Sequence, residues 1–280
     1  MARDTSFSYS FLVLPAAQRE AIGRVWDFCR AVDDAVDDAP SREAAVAAIA
    51  AWRTEVDLVF GAGTPLTSQG ANLKPVVATF SLSREPFELL VEGVEMDLQR
   101  SRYETFDELV EYCRRVASAV GLMCIEVFGS RDAGARSYAY NLGLALQVTN
   151  IIRDVAVDLK QGRVYLPQED LARFGVTEDA LREGRVTEPV RRLLAFECQR
   201  ARHFFDAAER AMPLGGGRRL VAAEIMGGIY FGILQRIERR GYDVFSEVIR
   251  VPKPARARIA LSIFARTHLA ALGLRRSARA

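Results

Sequence analysis

Apolar residues recur at helical spacing from one end of the chain to the other. They follow an i, i+3, i+4, i+7 pattern in segments near 17–38, 42–60, 83–98, 105–128, 133–159, 187–211, 217–240 and 254–272. Alternating runs typical of β-strands are absent from the sequence, and short turn sequences such as GAGTP and VPKP separate the segments. Because no composition shift marks a boundary, residues 1–280 are predicted to form one all-α domain, a helical bundle around a common interior.

Charge, cysteine and apolar patterns exclude several functions. A net charge of +2 gives no reason to expect nucleic-acid binding. The four cysteines form no C-x-x-C pair and no secretory signal precedes them, which predicts reduced thiols in a cytoplasmic protein. Neither of the two histidines lies in a pattern typical of a catalytic triad or a zinc site. The longest apolar run, at 225–234, is shorter than the roughly 18 residues that a membrane span needs.

The C-terminal segment is basic and contains no acid. Its basic residues are Lys253, Arg256, Arg258, Arg266, Arg275, Arg276 and Arg279. A basic helix that contains Leu and Ala can contact an anionic membrane surface, which here predicts peripheral attachment at the inner face of the membrane. A solvated terminal helix fits the same pattern.

One predicted helix carries a narrow polar stripe in an apolar sequence. In QVTNIIRDVAVD, at 147–158, the side chains of Gln147, Asn150, Asp154 and Asp158 fall within about 80° on a helical wheel. Leu, Val and Ile occupy most surrounding positions, so the helix is predicted to be buried on most sides. A buried carboxylate without a partner is strongly destabilised or becomes protonated. The stripe therefore indicates an inward polar surface that holds cations.

A second acidic cluster lies in RAVDDAVDDA, at 30–39. Asp33 and Asp37 are one helical turn apart beside the apolar face, so their carboxylates can share a cation. Asp34 points further round the helix, either as an outer ligand or toward solvent. Taken alone, this cluster also fits a solvated acidic helix end, and the stripe at 147–158 is what favours a site.

Both clusters consist of oxygen donors without Cys or His, which favours Mg²⁺ or Mn²⁺ over zinc. Mg²⁺ usually takes one or two carboxylates, several waters and phosphate oxygens. Two such clusters facing each other in an apolar interior predict a ligand with a diphosphate head and a hydrocarbon body. The chain lacks the strand and G-x-G-x-x-G spacing of dinucleotide sites, so NADPH is not expected.

With these motifs the sequence resembles the squalene and phytoene synthase family of head-to-head prenyltransferases. DDAVD and NIIRDVAVD carry the resemblance, with SFSYSFLVLP before the first and GRVYLP after the second. Within the family, segments such as WDFCRAVDDAVD and NLGLALQVTNIIRDV are most similar to bacterial presqualene diphosphate synthases of hopanoid clusters. The resemblance implies an all-α isoprenoid synthase fold with a central cavity.

The resemblance also implies roles for single residues. Mg²⁺ would be held by Asp33, Asp34, Asp37, Asn150, Asp154 and Asp158. Catalysis would depend on Asp33, Asp37, Asp154, Asp158, Arg153 and Tyr112. The head-group end of the substrate would contact Arg30, Arg153, Arg163, Tyr165, Gln147, Trp26 and Tyr230, and would be covered by Ser6, Phe7 and Ser8. Val116, Ala119 and Gly121 would shape the wall for the isoprenoid chain.

Structural alternatives exist for three of these positions. Tyr112 also fits core packing, and Arg163 and Tyr165 also fit a loop anchored to the bundle. Elsewhere, MDLQRSRY places Asp97 and Arg100 one turn apart, a spacing typical of a surface ion pair.

The implied reaction joins two farnesyl diphosphate molecules into presqualene diphosphate, which downstream squalene-forming enzymes would consume. The alternatives are a phytoene synthase that uses geranylgeranyl diphosphate, a dehydrosqualene synthase and a complete squalene synthase. A protein that binds Mg²⁺ and a prenyl diphosphate without turnover is the non-enzymatic alternative.

Overall fold

The computed structural model describes residues 10–213 and 217–277, with side-chain surroundings up to residue 269. Twelve helices lie in these ranges: α1 Ala16–Asp37, α2 Arg42–Phe60, α3 Ser68–Phe80, α4 Glu85–Gln99, α5 Phe106–Cys113, α6 Ala119–Val127, α7 Ala133–Lys160, α8 Gln168–Phe174, α9 Glu178–Arg182, α10 Glu188–Ala211, α11 Gly217–Arg239 and α12 Lys253–Ser277. Within the described ranges there is no β-strand, and one isolated bridge joins Arg102 to Val164. The all-α prediction is confirmed. Ser6, Phe7 and Ser8 lie outside the described residues.

Short polar side chains fix where several helices begin. Ser41, Thr67, Thr105 and Asp132 each precede a helix, and each accepts a hydrogen bond from a backbone N–H in its first turn. Such caps satisfy donors that the first turn of a helix leaves without a partner. The boundaries of α2, α3, α5 and α7 therefore follow from local sequence.

The 28-residue helix α7 is the centre of the bundle. It packs along α10 and against α6 and α11. Its contact with the preceding helical run, Phe106 to Val127, is close because Gly143 has no side chain: a Cβ at that position would lie 2.5 Å from Ser118 Cα. At Gly121, a Cβ would lie 2.9 Å from the Ala139 carbonyl oxygen. These contacts set α7 antiparallel to the chain from Tyr112 to Val127.

Two parts of the helix prediction are wrong. The segment predicted at 105–128 is interrupted by a π-helical turn at Arg114–Ser118, which periodicity alone does not reveal. Apolar spacing does not predict α3, because this helix contains Pro75 and buries only Gly70 and Leu73 completely, so its apolar pattern is weak. The short helices α8 and α9 were missed for the same lack of periodicity.

The expectation that no segment is long and apolar enough to span a membrane is also wrong, because α11 meets both criteria. An 18-residue stretch of α11 has a mean hydropathy of 1.3, which is sufficient for a span. However, 72% of that stretch is buried inside the protein. This burial matches a core helix, and α11 forms one wall of the central cavity.

Candidate active site

A cavity of about 340 Å³ opens between α1, α4, the continuous helical run from α5 to α6, α7 and α11. Most of its wall is apolar and includes Leu90, Val94, Val116, Val120, Ile125, Phe128, Leu142, Leu146 and Met226. Its polar lining consists of Trp26, Arg30, Asp33, Tyr112, Gln147, Asn150 and Tyr230. The lining runs from Ala139 to Asn150 along α7, and from Phe128 to Tyr112 along the antiparallel helical run of α5 and α6. The polar residues of these two elements therefore share one end of the cavity.

The wall positions agree with the resemblance except at one residue. Val116 and Gly121 line the cavity, as expected. Ala119 is completely buried, and the neighbouring Ala117 and Val120 line the cavity in its place. The π-helical turn at Arg114–Ser118 shifts which residues of this helical run face the cavity, so the prediction for Ala119 is wrong.

The polar stripe of α7 begins inside the cavity and continues beyond it. Asn150 Nδ2 lies 3.4 Å from Gln147 Oε1. Among the described residues, the buried Asn150 Oδ1 has no hydrogen-bond partner. A buried acceptor without a donor is costly, so this oxygen points to a ligand. Further along, Arg153 donates to both oxygens of Asp154 at 2.8 and 2.5 Å.

The last carboxylate of the stripe lies in an acidic environment. Burial, and then the negative charge of Asp154, raise the pKa of Asp158 to about 7. Arg163 counteracts this shift only in part. A nearby cation would remove the cost of ionising Asp158.

The acidic cluster of α1 lies close to the same region. Arg30 and Asp33 line the cavity, and Arg163 donates to Asp37 Oδ1 at 2.8 Å. Although solvent reaches Asp33 through the cavity, burial by the surrounding protein and the neighbouring carboxylates Asp37 and Asp97 raise its pKa to about 6. Because Arg163 follows α7 and contacts α1, the two acidic clusters are brought together.

Asp34 is placed apart from the other predicted metal ligands. It lines a separate surface depression between α1 and α3, together with Arg24, Asp27 and Asn72. Its contribution to Asp33 is electrostatic, since its charge adds to the rise in the Asp33 pKa.

The loop after α7 presents Arg163 and Tyr165 to the site. Gly162 adopts a left-handed conformation with φ of 76°, and the Val164 N–H donates to the Ser101 carbonyl at 2.9 Å. The chain then alternates: Val164 and Leu166 are buried, while Arg163 and Tyr165 lie on the other side. The same loop conformation therefore anchors the loop through Val164 and Leu166 and places Arg163 and Tyr165 at the site.

Asp97 belongs to the site, and the predicted ion pair with Arg100 is wrong. Asp97 accepts hydrogen bonds from the hydroxyls of Tyr112 at 3.0 Å and Tyr165 at 2.9 Å. Arg100 lies 3.7 Å from Glu108 instead. One signal in the sequence could have identified Asp97. It lies three residues after the cavity residue Val94, and so continues the inward face of α4.

The donor set fits a hard cation that binds together with a phosphate group. Within the described ranges, no three acidic, His or Cys residues lie close enough together to hold a metal ion by themselves. Mg²⁺ does not require such a cage, because it can take one or two carboxylates and complete its shell with waters and phosphate oxygens. The orphan Asn150 oxygen and the raised pKa values of Asp33 and Asp158 are consistent with this arrangement.

Comparison with known proteins identifies the family. The family model described as squalene/phytoene synthase matches residues 1–257. The chain belongs to the squalene/phytoene synthase family. Members and relatives of this family are enzymes of the prenyltransferase type that act on isoprenoid diphosphates.

Named relatives and solved structures agree with this assignment. The chain is 36% identical over 261 residues to a 15-cis-phytoene synthase of Synechococcus elongatus, covering 88% of this chain and 84% of the relative. It superimposes on a dehydrosqualene synthase with a TM-score of 0.85 at 28% identity, covering 94% of this chain and 92% of that one. It superimposes on squalene synthase HpnC from Alicyclobacillus acidocaldarius with a TM-score of 0.78 at 34% identity, covering 86% and 91%.

Proposed function

We propose that the protein condenses two farnesyl diphosphate molecules head to head into presqualene diphosphate and releases one diphosphate. The observation that carries the proposal is a cavity with an apolar body whose polar end lies beside two acidic clusters and three arginines. This polarity matches a hydrocarbon chain attached to a diphosphate. The similarity to squalene synthase HpnC supports a condensation on the route to squalene. That the reaction stops at presqualene diphosphate is our proposal, and downstream squalene-forming enzymes would consume this product.

The polar end would bind and activate the diphosphate. Mg²⁺ held by Asp33, Asp37, Asn150, Asp154 and Asp158 would neutralise charge on the leaving group. Arg30, Arg153 and Arg163 would bind its oxygens, since guanidinium groups match phosphate geometry. With its diphosphate held in this way, one substrate loses the C1–O bond and becomes an allylic cation.

The apolar wall would protect and orient the cation. Residues such as Val116, Leu142 and Leu146 exclude water that would otherwise capture it. The C2–C3 double bond of the second substrate attacks C1 of the cation through C2, which leaves a positive charge on C3 of the second substrate. C1 of the first substrate then loses a proton to the released diphosphate or to a tyrosine, and the C–H electron pair bonds C1 to that C3 and closes a cyclopropane. The second diphosphate stays attached to the product.

A phytoene or dehydrosqualene synthase is the second candidate. It is favoured by the 36% identity to a phytoene synthase and by the superposition on a dehydrosqualene synthase. Product analysis separates these reactions. Purified protein with Mg²⁺ is incubated with farnesyl or geranylgeranyl diphosphate, with and without NADPH, and products are identified by mass spectrometry.

The proposal expects presqualene diphosphate from the farnesyl substrate, unchanged by NADPH. Squalene formed only with NADPH would indicate a complete squalene synthase, and a C40 product would indicate a phytoene synthase. Dehydrosqualene from farnesyl diphosphate would indicate a dehydrosqualene synthase. Absence of any product would favour a protein that binds prenyl diphosphates without turnover.

Variants of the acidic clusters test whether turnover uses this site. Asp37→Ala and Asp154→Ala should each abolish product formation while the helical circular dichroism signal is retained. Asp38→Asn is the matched control, because Asp38 is an exposed neighbour on the same helix end and the change removes the same charge. Activity that survives both alanine changes would refute the assignment of the site.

We also propose that α12 contacts the inner face of the cytoplasmic membrane. Leu261 and Leu269 are 70% and 67% exposed on this helix, and Arg258 is exposed beside them. Exposed leucines combined with basic residues suit an anionic lipid surface. Cosedimentation with vesicles that contain phosphatidylglycerol should exceed that with phosphatidylcholine vesicles, and Leu261→Ser with Leu269→Ser should abolish the difference. Equal binding of both vesicle types would refute this contact.

A further inference from the structure

A pair of tyrosines and one carboxylate form a connected group at the polar end of the cavity. Tyr112 lines the cavity, and its ring stacks on that of Tyr165 with centroids 5.3 Å apart. Their hydroxyl oxygens lie 3.4 Å apart. Asp97 receives one hydroxyl on each carboxylate oxygen, Tyr112 on Oδ2 and Tyr165 on Oδ1. The group joins α4, α5 and the loop after α7.

The carboxylate determines the direction of both O–H bonds. Burial, and then the charge of Asp97, raise the pKa of each hydroxyl far above its usual range, so both tyrosines stay protonated. Each tyrosine hydroxyl has one hydrogen, and it donates this hydrogen in a hydrogen bond to Asp97. The remaining lone pairs of Tyr112 are therefore free to face the cavity. A hydroxyl fixed in this way presents the negative end of its dipole to whatever lies inside.

Asp97 is also placed between the two acidic clusters. Its charge contributes to the raised pKa of Asp33 on α1 and of Asp158 on α7. It is half-buried, and burial raises its own pKa, so keeping an acid there is costly. Core packing alone would be served better by an apolar residue, which favours a role in the chemistry of the cavity.

We propose that Asp97 is a positioning residue that acts through Tyr112, holding its hydroxyl so that the lone pairs face the allylic cation. This inference rests on the proposed function, since it requires a cation in the cavity. A preorganised dipole stabilises developing charge without reorganisation during the reaction. Asp97 therefore affects the rate of ionisation more than the binding of substrate.

Asp97→Asn tests this role with little change in size. The two hydroxyls contact different carboxylate oxygens, so in the amide one hydroxyl still meets an oxygen acceptor while the other meets the NH₂ group, which donates and reverses that hydrogen bond. We expect kcat to fall on the order of 100-fold. The affinity for farnesyl thiolodiphosphate, an analogue that resists ionisation, should change less than about threefold. Glu95→Gln is the matched control, because Glu95 lies on α4, pairs with the exposed Arg53, and loses the same charge.

A double-mutant cycle separates positioning from a general structural effect. In a Tyr112→Phe background the hydroxyl is absent, so adding Asp97→Asn should lower kcat by less than about threefold. If the effects of Asp97→Asn and Tyr112→Phe on kcat multiply as independent effects do, the proposal is overturned. It is also overturned if Asp97→Asn turns over at the wild-type rate, or if this variant loses as much affinity for the analogue as it loses in kcat. Wild-type turnover is measured first, so failure of the proposed function is recognised separately.

Thermal unfolding verifies that each variant is folded. If Asp97→Asn does not fold, Asp97→Ala provides the second test, because it also removes the acceptor that orients the Tyr112 hydroxyl. We expect Asp97→Ala to lower kcat on the order of 100-fold in the wild type and by less than about threefold in the Tyr112→Phe background. Equal losses of kcat in the two backgrounds would refute positioning through Tyr112.

Discussion

Replacing Asp158 by asparagine should change how stability depends on pH. The pKa of Asp158 is about 7 in the folded protein, compared with an ordinary value of 3.8. At pH values between 3.8 and about 7, the folded state therefore keeps a proton on Asp158 that the unfolded state has lost. Since the folded state holds more protons, the free energy of unfolding falls as pH rises through this window.

The size of the effect follows from the difference between the two values. A difference of about 3 in pKa corresponds to at most about 4 kcal/mol, lost progressively between about pH 4 and pH 7. The amide introduced by Asp158→Asn does not titrate, so the variant should lack this part of the slope. At pH 8 without Mg²⁺ it should be more stable than the wild type by up to that amount.

Urea unfolding followed by circular dichroism at pH 5, 6, 7 and 8, in the presence of EDTA, measures this difference. Asp38→Asn is again the control, and it should retain the wild-type slope because Asp38 is exposed. If the free energy of unfolding of Asp158→Asn depended on pH as steeply as that of the wild type, the Asp158 carboxylate would not be held in the acidic environment described above. A variant that is less stable than the wild type at pH 8 would refute the reasoning more directly.

Two further predictions concern packing around the cavity. Gly143→Ala should lower the free energy of unfolding by about 1–3 kcal/mol, because the added Cβ would lie 2.5 Å from Ser118 Cα. Gly23→Ala, whose added Cβ meets nothing within 4 Å, should raise it by about 0.5–1 kcal/mol. Thermal unfolding compares the two variants, and equal effects would refute the close helix contact. Cys113 is completely buried, and burial raises the pKa of its thiol well above the usual range. Iodoacetamide at pH 7.5 should therefore leave Cys113 unlabelled in the folded protein and label it in urea, as mass spectrometry would detect. Rapid labelling of Cys113 in the folded protein would refute the burial.

Much of the site could be predicted from the chain because helical spacing places side chains on one face. Asp33 with Arg30 on α1, and Gln147 with Asn150 on α7, line the cavity as their spacing suggested. The roles of these residues in metal and substrate binding remain predictions. Asp97 was misjudged, because its tyrosine partners lie 15 and 68 positions further along the chain.

The sequence by itself determined the helical class, most helix boundaries and the two acidic faces, since periodicity and capping act over a few residues. Tertiary structure decided which faces meet. Arg163 reaches Asp37 across 126 positions, and the π-helical turn replaces Ala119 by its neighbours in the cavity wall. Such outcomes depend on how helices pack and where the chain turns between them. No local pattern encodes these distances, because the contacting residues become neighbours only when the bundle closes.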